Sequence, residues 1–282
     1  MSTHLTVDPA AFGAAFGRTS IRVEHDLADH QLFSLDGLAG LADRLPEASI
    51  EHNVGDLPTV VGADEVERLP LPPGEIVRTI EENRSWMVLK NVEAVPAYGA
   101  LLRECLEEVR ALSAPEGGMT LQEGFIFISA PNSMTPSHVD PEHNFLLQIR
   151  GVKAMNVGRF DDRTVEQLQL ERVYLGGHRN LDREPDSAQC YELHPGDGVY
   201  VRPDAPHFVK NGPEPSVSFS ITWRTPATAR ASRVHRTNGR LRALRVVPRP
   251  PGDSVARDRV KVYASSAAAA VALAARKARR HR

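Results

Sequence analysis

The segment from Gly124 to Trp223 constrains the fold most, because it consists of short apolar stretches separated by turns that contain glycine and proline. The predicted strands in it are Phe125–Ser129, Asn144–Val157, Gly198–Arg202 and Ser216–Trp223. In the last of these, apolar and hydroxyl side chains alternate, as they do in a strand with one buried face. About a hundred residues with this pattern predict a sandwich or barrel, and a jelly roll suits the length.

Helices are predicted before this strand-rich segment. Ser34 is suitably placed to cap a helix that runs to Leu45 with leucines along one face. A second helix is predicted over residues 75–83 and a third over residues 98–112, with an apolar strand at residues 85–91 between them. These elements are expected to pack on the barrel.

Basic helices are predicted after the strand-rich segment. Residues 237–247 have the pattern of a short basic helix, and residues 264–280 are so rich in alanine and arginine that their intrinsic helix propensity is high. We therefore predict an α+β chain in three parts. Mixed helices and strands occupy residues 1–115, a double-stranded β-helix (jelly-roll) core occupies 116–226, and a basic helical tail occupies 227–282.

The formal net charge of −2 conceals an uneven distribution along the chain. Residues 224–282 contain sixteen lysines and arginines against only Asp253 and Asp258, so an acidic body carries a basic tail. Such a tail can meet phosphate groups, but it has no recognition-helix motif and no interleaved aromatic residues. We therefore do not expect nucleic acid as a partner, and we expect the C-terminal helices to form a homodimer.

Composition also argues against a membrane protein and against a disulfide-rich one. No apolar run approaches the ~18 residues that a spanning helix needs, and the first residues lack the charged and apolar regions of a secretory signal. The two cysteines, Cys105 and Cys190, have no metal-ligand spacing, and no disulfide framework is expected. These features predict a cytoplasmic protein with no membrane partner.

A metal-binding pattern occurs at His138 and Asp140. Residues two apart on a strand project from the same face, so one ion can be bound by both. A second histidine from a distant strand would complete a facial triad of two histidines and one carboxylate. That triad leaves three octahedral positions for a bidentate cosubstrate and oxygen.

His207 is the best candidate for the third ligand. It follows a predicted strand and a Pro-Asp-Ala-Pro bend. The other candidates are less suitable: His143 lies in the turn after the first pair, and His178 and His194 lie in loops rich in glycine and proline.

The residues after His138 match a family pattern. They read HVDPEHNFLLQIRGVK, ending at Lys153, and Thr135 stands three residues before the first histidine. This segment resembles the JmjC-type (cupin-like) iron(II)- and 2-oxoglutarate-dependent oxygenases, and most closely the asparaginyl hydroxylase that acts on hypoxia-inducible factor. The resemblance extends over Gly124 to Trp223.

The resemblance implies roles for further residues. Lys153 would pair with the distal carboxylate of 2-oxoglutarate, Thr135 would hydrogen-bond the same carboxylate, and Asn144 would orient the cosubstrate near the iron. A buried dianion does need a cation at its far end. Where the family has an asparagine in its last barrel strand, this chain has only Ser218, Ser220 and Thr222, and the family's second tyrosine contact has no counterpart that we locate.

The implied activity is hydroxylation of an amino-acid side chain in a protein, a peptide or a carrier-bound residue. The reaction would use iron(II) as its cofactor and would consume 2-oxoglutarate and O2, with succinate and carbon dioxide as by-products. Two alternatives stay open: a cupin metalloenzyme that does not use 2-oxoglutarate, and a non-catalytic cupin-like regulator or binding protein. The metalloenzyme without 2-oxoglutarate does not explain the spacing of Thr135 and Lys153. In a non-catalytic protein, the basic tail would be the functional part. The sequence does not identify the substrate, because the loops that line the pocket determine it and the long insert at residues 158–190 has no recognisable pattern.

Overall fold

A computed structural model describes residues 3–54, 59–60, 69–113 and 117–280, without side chains at Val54 and from 268 onward. The chain divides into two compact units. The first comprises Met1–Arg159 and Asn180–Thr225, and the second comprises Phe160–Arg179 and Pro226–Arg282. Within the described ranges, no helix combines the length and the apolar character needed to cross a membrane.

The first unit contains two antiparallel sheets. Its strands are β1 (Leu5–Thr6), β2 (Ile21–His25), β3 (Ile50–Val54), β4 (Ser85–Lys90), β5 (Thr120–Ser129), β6 (Met134–His138), β7 (His143–Arg150), β8 (Lys153–Arg159), β9 (Ser187–Leu193), β10 (Asp197–Val201), β11 (His207–Asn211) and β12 (Ser216–Arg224). The larger sheet has the order β1-β2-β10-β7-β12-β5-β4-β3, and the smaller has the order β6-β11-β8-β9. The predicted α+β jelly-roll fold is confirmed.

Apolar and hydroxyl side chains alternate along β12, and the larger sheet is buried on both of its faces. Val217, Phe219 and Ile221 belong to a large apolar cluster that includes residues of the N-terminal helices. Ser218 and Ser220 point the other way and hydrogen-bond to polar side chains of β7. A smaller apolar cluster fills the space between the sheets, with members Leu146, Met155, Tyr191, Leu193, Val199, Val201, Ala205 and Val209.

In the described part of the first unit, four α-helices cover the outer face of the larger sheet: α1 (Pro9–Ala15), α2 (Leu35–Ala42), α3 (Pro73–Arg78) and α4 (Pro96–Ser113). Ser34 caps α2 as predicted, since its Oγ accepts a hydrogen bond from the Gly37 amide at 3.2 Å. The predicted end of α2 at Leu45 was wrong by one turn. The predicted helix at residues 75–83 was also too long, because turns follow α3 and Asn83 uses its side-chain amide to bond the Ile76 carbonyl at 2.7 Å.

The predicted single strand over residues 144–157 is in fact two strands in different sheets, joined by a corner at Gly151. Gly151 has a φ of +69°, a backbone conformation that favours glycine. A Cβ at this position would collide with the carbonyl oxygen of Pro215. Glycine is therefore required here both by the backbone and by the close approach of a second segment.

The second unit consists of three helices, α5 (Arg163–Tyr174), α6 (Pro226–Ala243) and α7 (Val255–Arg280). The predicted helix at residues 237–247 is the last part of α6, which begins at a proline and ends earlier than predicted. Polar contacts hold α5 to α6: Arg242 Nε lies 2.6 Å from the buried Glu171 carboxylate, and the rings of Tyr174 and His235 stack at 5.1 Å.

Candidate active site

Strand pairing brings two histidines together. In the antiparallel pair of β6 and β11, His207 stands directly opposite His138, and their ring centroids are 4.1 Å apart. The bend before His207 is held in place by a hydrogen bond from the Asp204 amide to the Asp140 carbonyl at 2.8 Å. Asp204 has a φ of +61°, which an aspartate tolerates better than most residues. The bend thus joins the segments that carry the predicted ligands.

The carboxylate of Asp140 completes the group. Its Oδ2 lies 3.6 Å from His138 Nε2 and 3.5 Å from His207 Nε2. One nitrogen or oxygen from each of the three residues lies within 4.8 Å of the others, which is the spacing that a single metal ion can bridge. In the described part of the chain this is the one group of histidine, cysteine and acidic residues so arranged.

Both imidazole rings are oriented for metal binding. His138 Nδ1 donates to the Pro136 carbonyl at 2.8 Å, and His207 Nδ1 donates to the Ala205 carbonyl at 2.8 Å. A carbonyl oxygen can only accept, so each Nδ1 carries the proton and each Nε2 keeps its lone pair. A backbone carbonyl that fixes the tautomer in this way is the usual second contact of a metal-binding histidine.

The charges of the group also suit a cation. Burial alone would raise the pKa of Asp140, but His138 and His207 hold it well below its usual range. Burial, together with the neighbouring His138, lowers the pKa of His207. A neutral imidazole and an ionised carboxylate are the protonation states in which these side chains bind a metal.

The group lines a cavity that opens to solvent. The predicted cosubstrate residues Thr135, Asn144 and Lys153 line the same cavity. Lys153 is only 3 % exposed, and burial lowers its pKa to about 7. No acidic side chain of the described residues forms an ion pair with it, which leaves a buried cation without a counter-charge.

Asn144 is held by a hydroxyl group of β12, the strand in which the resembled family has an asparagine and this chain has none. Ser220 Oγ donates to Asn144 Oδ1 at 2.8 Å, so the amide NH2 group of Asn144 remains able to donate. Thr222 instead bonds the Glu123 carbonyl at 3.3 Å. Of the hydroxyl residues that replace the family asparagine, Ser220 is therefore the one that contacts a predicted cosubstrate residue.

The rejected histidines lie elsewhere. His143 is buried at the start of β7, stacked between Phe16 at 4.5 Å and Trp223 at 5.3 Å. Its Nδ1 lies 2.8 Å from the Tyr200 hydroxyl, and burial lowers its pKa to about 4. His194 is exposed and lies 3.0 Å from a carboxylate oxygen of Glu192. His178 is exposed in the second unit.

The apolar residues of the cavity were not predicted from the sequence. They are Trp86, Phe127, Leu146, Met155 and Val209. The last three stand two positions after Asn144, Lys153 and His207, so the period of a strand could have found them. Trp86 and Phe127 come from β4 and β5, which carry no motif. Among the described residues no tyrosine lines the cavity, and its aromatic rings other than the two histidines are those of Trp86 and Phe127.

Comparison with known families agrees with this geometry. Residues 118–231 match the model of the JmjC domain.

This segment is a JmjC domain.

The resemblance to JmjC oxygenases inferred from the sequence is thereby confirmed at the level of the domain. No curated protein sequence gives a significant match.

Solved structures of YcfD, a ribosomal oxygenase from Escherichia coli, share the fold around the JmjC domain. The X-ray structure is 20% identical with a TM-score of 0.57, and the alignment covers 94% of this chain and 68% of that chain. A complex of YcfD with cobalt and 2-oxoglutarate is 18% identical with a TM-score of 0.53, covering 93% and 66%. A complex with cobalt and succinic acid is 19% identical with a TM-score of 0.52, covering 93% and 66%. This chain thus spans about two thirds of the length of YcfD.

Proposed function

We propose that this chain is an iron(II)- and 2-oxoglutarate-dependent oxygenase that hydroxylates an amino-acid side chain of a protein. The observation that carries the proposal is the content of one cavity. It contains a group of two histidines and a carboxylate spaced for a metal ion. It also contains the buried Lys153, which forms no ion pair with any acidic side chain in the described part of the chain. A metal site alone would suit many cupins, whereas the buried cation calls for an anionic ligand bound beside the metal.

His138, Asp140 and His207 would hold the iron(II). When bound, iron(II) and 2-oxoglutarate supply the oxidising chemistry, in which O2 converts 2-oxoglutarate to succinate and carbon dioxide while a C–H bond is hydroxylated. The task of the three side chains is to bind one ion and to leave the remaining positions open. Their hydrogen bonds to the Pro136 and Ala205 carbonyls hold the rings in place before the ion arrives.

Lys153, Thr135 and Asn144 would bind 2-oxoglutarate. The Lys153 ammonium would neutralise the distal carboxylate, and the Thr135 hydroxyl would donate to the same group. The Asn144 amide, held through its oxygen by Ser220, would donate toward the end of the cosubstrate nearest the metal. Leu146, Met155 and Val209 form an apolar wall that excludes water from the reacting groups.

A protein is the substrate class that the relatives support. YcfD is described as a ribosomal oxygenase and has been crystallised with 2-oxoglutarate and with succinic acid. We extend that description to this chain and take a ribosomal protein as the first substrate to test.

The proposal includes self-association and a cytoplasmic location. On α7, Ala256, Val260, Tyr263 and Ala267 are exposed at the alternating spacing of four and three that two paired helices use. The opposite face of α7 is buried through Lys261 and Ser265. A second copy of α7 is the partner that this repeat fits.

The proposed cytoplasmic location is supported by the two cysteines, Cys105 and Cys190, which are unpaired, as in proteins of a reducing compartment.

The test is aerobic incubation of the full chain with iron(II), 2-oxoglutarate and separated ribosomal proteins. We expect succinate to form and one of these proteins to gain the mass of one oxygen atom. The Asp140→Ala variant is the matched control, since it removes a proposed ligand from the same cavity. A parent protein that neither binds 2-oxoglutarate nor forms succinate would refute the oxygenase. Succinate formation without a modified ribosomal protein would refute only the substrate.

A further inference from the structure

The side chain of Gln148 is hydrogen-bonded at both ends of its amide, close to the proposed cosubstrate site. It lies on β7, is fully buried and does not line the cavity. Its Nε2 lies 2.6 Å from the Arg150 carbonyl, 3.1 Å from the Gly151 carbonyl and 3.0 Å from Ser216 Oγ. Its Oε1 accepts a hydrogen bond from Ser218 Oγ at 2.7 Å. Both ends of the amide are thus used.

These hydrogen bonds hold the corner at which the chain leaves one sheet for the other. Because β7 belongs to the larger sheet and β8 to the smaller, the corner at Gly151 sets their relative position. Gln148 binds the corner from β7, and the close approach of Pro215 confines it from the start of β12. On the third side, the Gly212 amide donates to the Val152 carbonyl at 2.7 Å.

Lys153 is the first residue of β8, directly after this corner. On β8 and β11, Lys153 pairs with Asn211, and Val157 pairs with His207. Lys153 therefore lies four residues along β8, or roughly 13 Å, from the residue that pairs with the proposed metal ligand His207. An extended lysine side chain and a short dicarboxylate together can span that distance. A shift of the corner would change it.

We propose that Gln148 is a positioning residue that fixes Lys153 relative to the metal-binding residues, and that this spacing selects a five-carbon 2-oxo dicarboxylate over a longer one. The inference rests on the proposed function, because it needs the cosubstrate to lie between Lys153 and the metal. Gln148 acts through the corner and does not touch the cosubstrate. Ser216 and Ser218 of β12 hold its amide in the required orientation.

The test measures ligand selection by binding, independently of turnover. The full chain is loaded with cobalt(II) and titrated by calorimetry with 2-oxoglutarate and with 2-oxoadipate, which is one methylene longer. The variant is Gln148→Met, which keeps the length of the side chain and removes its hydrogen bonds. The control is Gln189→Met, the same change at an exposed position of β9. Cobalt affinity and thermal stability are measured for each protein.

We expect the parent and Gln189→Met to prefer 2-oxoglutarate, and Gln148→Met to reduce that preference at least about tenfold, with cobalt affinity unchanged. A residue that only stabilised the fold would lower the melting temperature and leave the ratio of the two affinities as in the parent. An unchanged ratio overturns the inference, as does a parent that binds both acids equally. If Gln148→Met does not fold, Ser218→Ala decides in the same way, since it removes the hydrogen bond to Oε1. If the parent binds neither acid, the proposed function itself fails.

Discussion

His138 and His207 face each other across β6 and β11, and in each the Nδ1 proton is donated to the carbonyl of the residue two positions earlier. The two rings therefore owe their orientation to the same local geometry, although they are far apart in the sequence. Both Nε2 atoms turn toward one oxygen of Asp140. The backbone thus orients both histidine rings toward the Asp140 carboxylate.

The first prediction concerns the metal. We expect His138→Ala, Asp140→Ala and His207→Ala each to weaken iron(II) or cobalt(II) binding at least about tenfold and to abolish succinate formation. Each removes one of three protein donors and opens a position that water fills. Metal content after dialysis and succinate by chromatography are the two measurements.

The suitable control for these variants is His194→Ala, because His194 is exposed. His143 is unsuitable, since its ring is stacked between Phe16 and Trp223 and its removal would leave a hole in the core. Normal turnover by His207→Ala would show that the third ligand has been misassigned. Normal turnover by all three variants would refute the facial triad.

The second prediction separates the role of Lys153 from its effect on stability. A pKa lowered from 10.5 to about 7 means that burying this charge destabilises the protein without ligands by on the order of 4 kcal/mol at neutral pH. We therefore expect Lys153→Met to raise the melting temperature of the ligand-free protein. The same change should weaken 2-oxoglutarate binding at least about tenfold, equivalent to ~1.4 kcal/mol, and leave the metal bound.

The size of this stability effect depends on pH. The unfolded chain binds a proton at Lys153 up to pH 10.5 and the folded protein only up to about 7, so the penalty shrinks as pH rises between these values. The advantage of Lys153→Met should be largest below pH 7 and small near pH 10. A variant that is less stable than the parent at every pH would mean that Lys153 stabilises the fold and is not held in place for a ligand.

The pairing of His138 with Asp140 and the barrel could be predicted from the sequence because both depend on short periods. Period two along β12 separates the apolar core side from the serine side, and the same period places His138 and Asp140 together. The long insert was unreadable for the opposite reason. The buried face of α5 carries Gln167, Gln169 and Glu171, so the apolar period that marks a helix is missing.

Long-range geometry accounts for what else was missed. Trp86 and Phe127 enter the cavity because β4 and β5 pair in the larger sheet, and no local pattern encodes that pairing. The strands β7 and β8 were predicted as one strand, because the segment that approaches Gly151 lies at Pro215, 64 positions later in the sequence.

The third prediction concerns self-association through α7. Val260 and Tyr263 are 68% and 78% exposed, and a charge between paired helices would be buried against apolar groups. We expect Tyr263→Glu to lower the mass measured by light scattering from that of a dimer to that of a monomer. The control Ser266→Glu adds the same charge to α7 outside the apolar stripe. A monomeric parent, or an equal loss of mass in both variants, would contradict pairing through this stripe.

The fourth prediction is the pH dependence of cosubstrate binding. The distal carboxylate needs the protonated form of Lys153, and burial lowers its pKa to about 7 in the protein without ligands. Above that pH the empty site is mostly neutral, and 2-oxoglutarate must bind together with a proton. The apparent affinity of the metal-loaded protein should therefore fall about fivefold from pH 7 to pH 8 and approach tenfold for each further unit. Calorimetry in two buffers of different ionisation enthalpy should detect the proton uptake directly.

Lys153→Arg is the informative control for this pH dependence, since a guanidinium stays charged throughout this range and should make binding independent of pH. If the parent binds 2-oxoglutarate equally well from pH 6.5 to pH 9 with no proton uptake, then Lys153 is already charged in the empty site, and an unidentified partner must compensate for its burial.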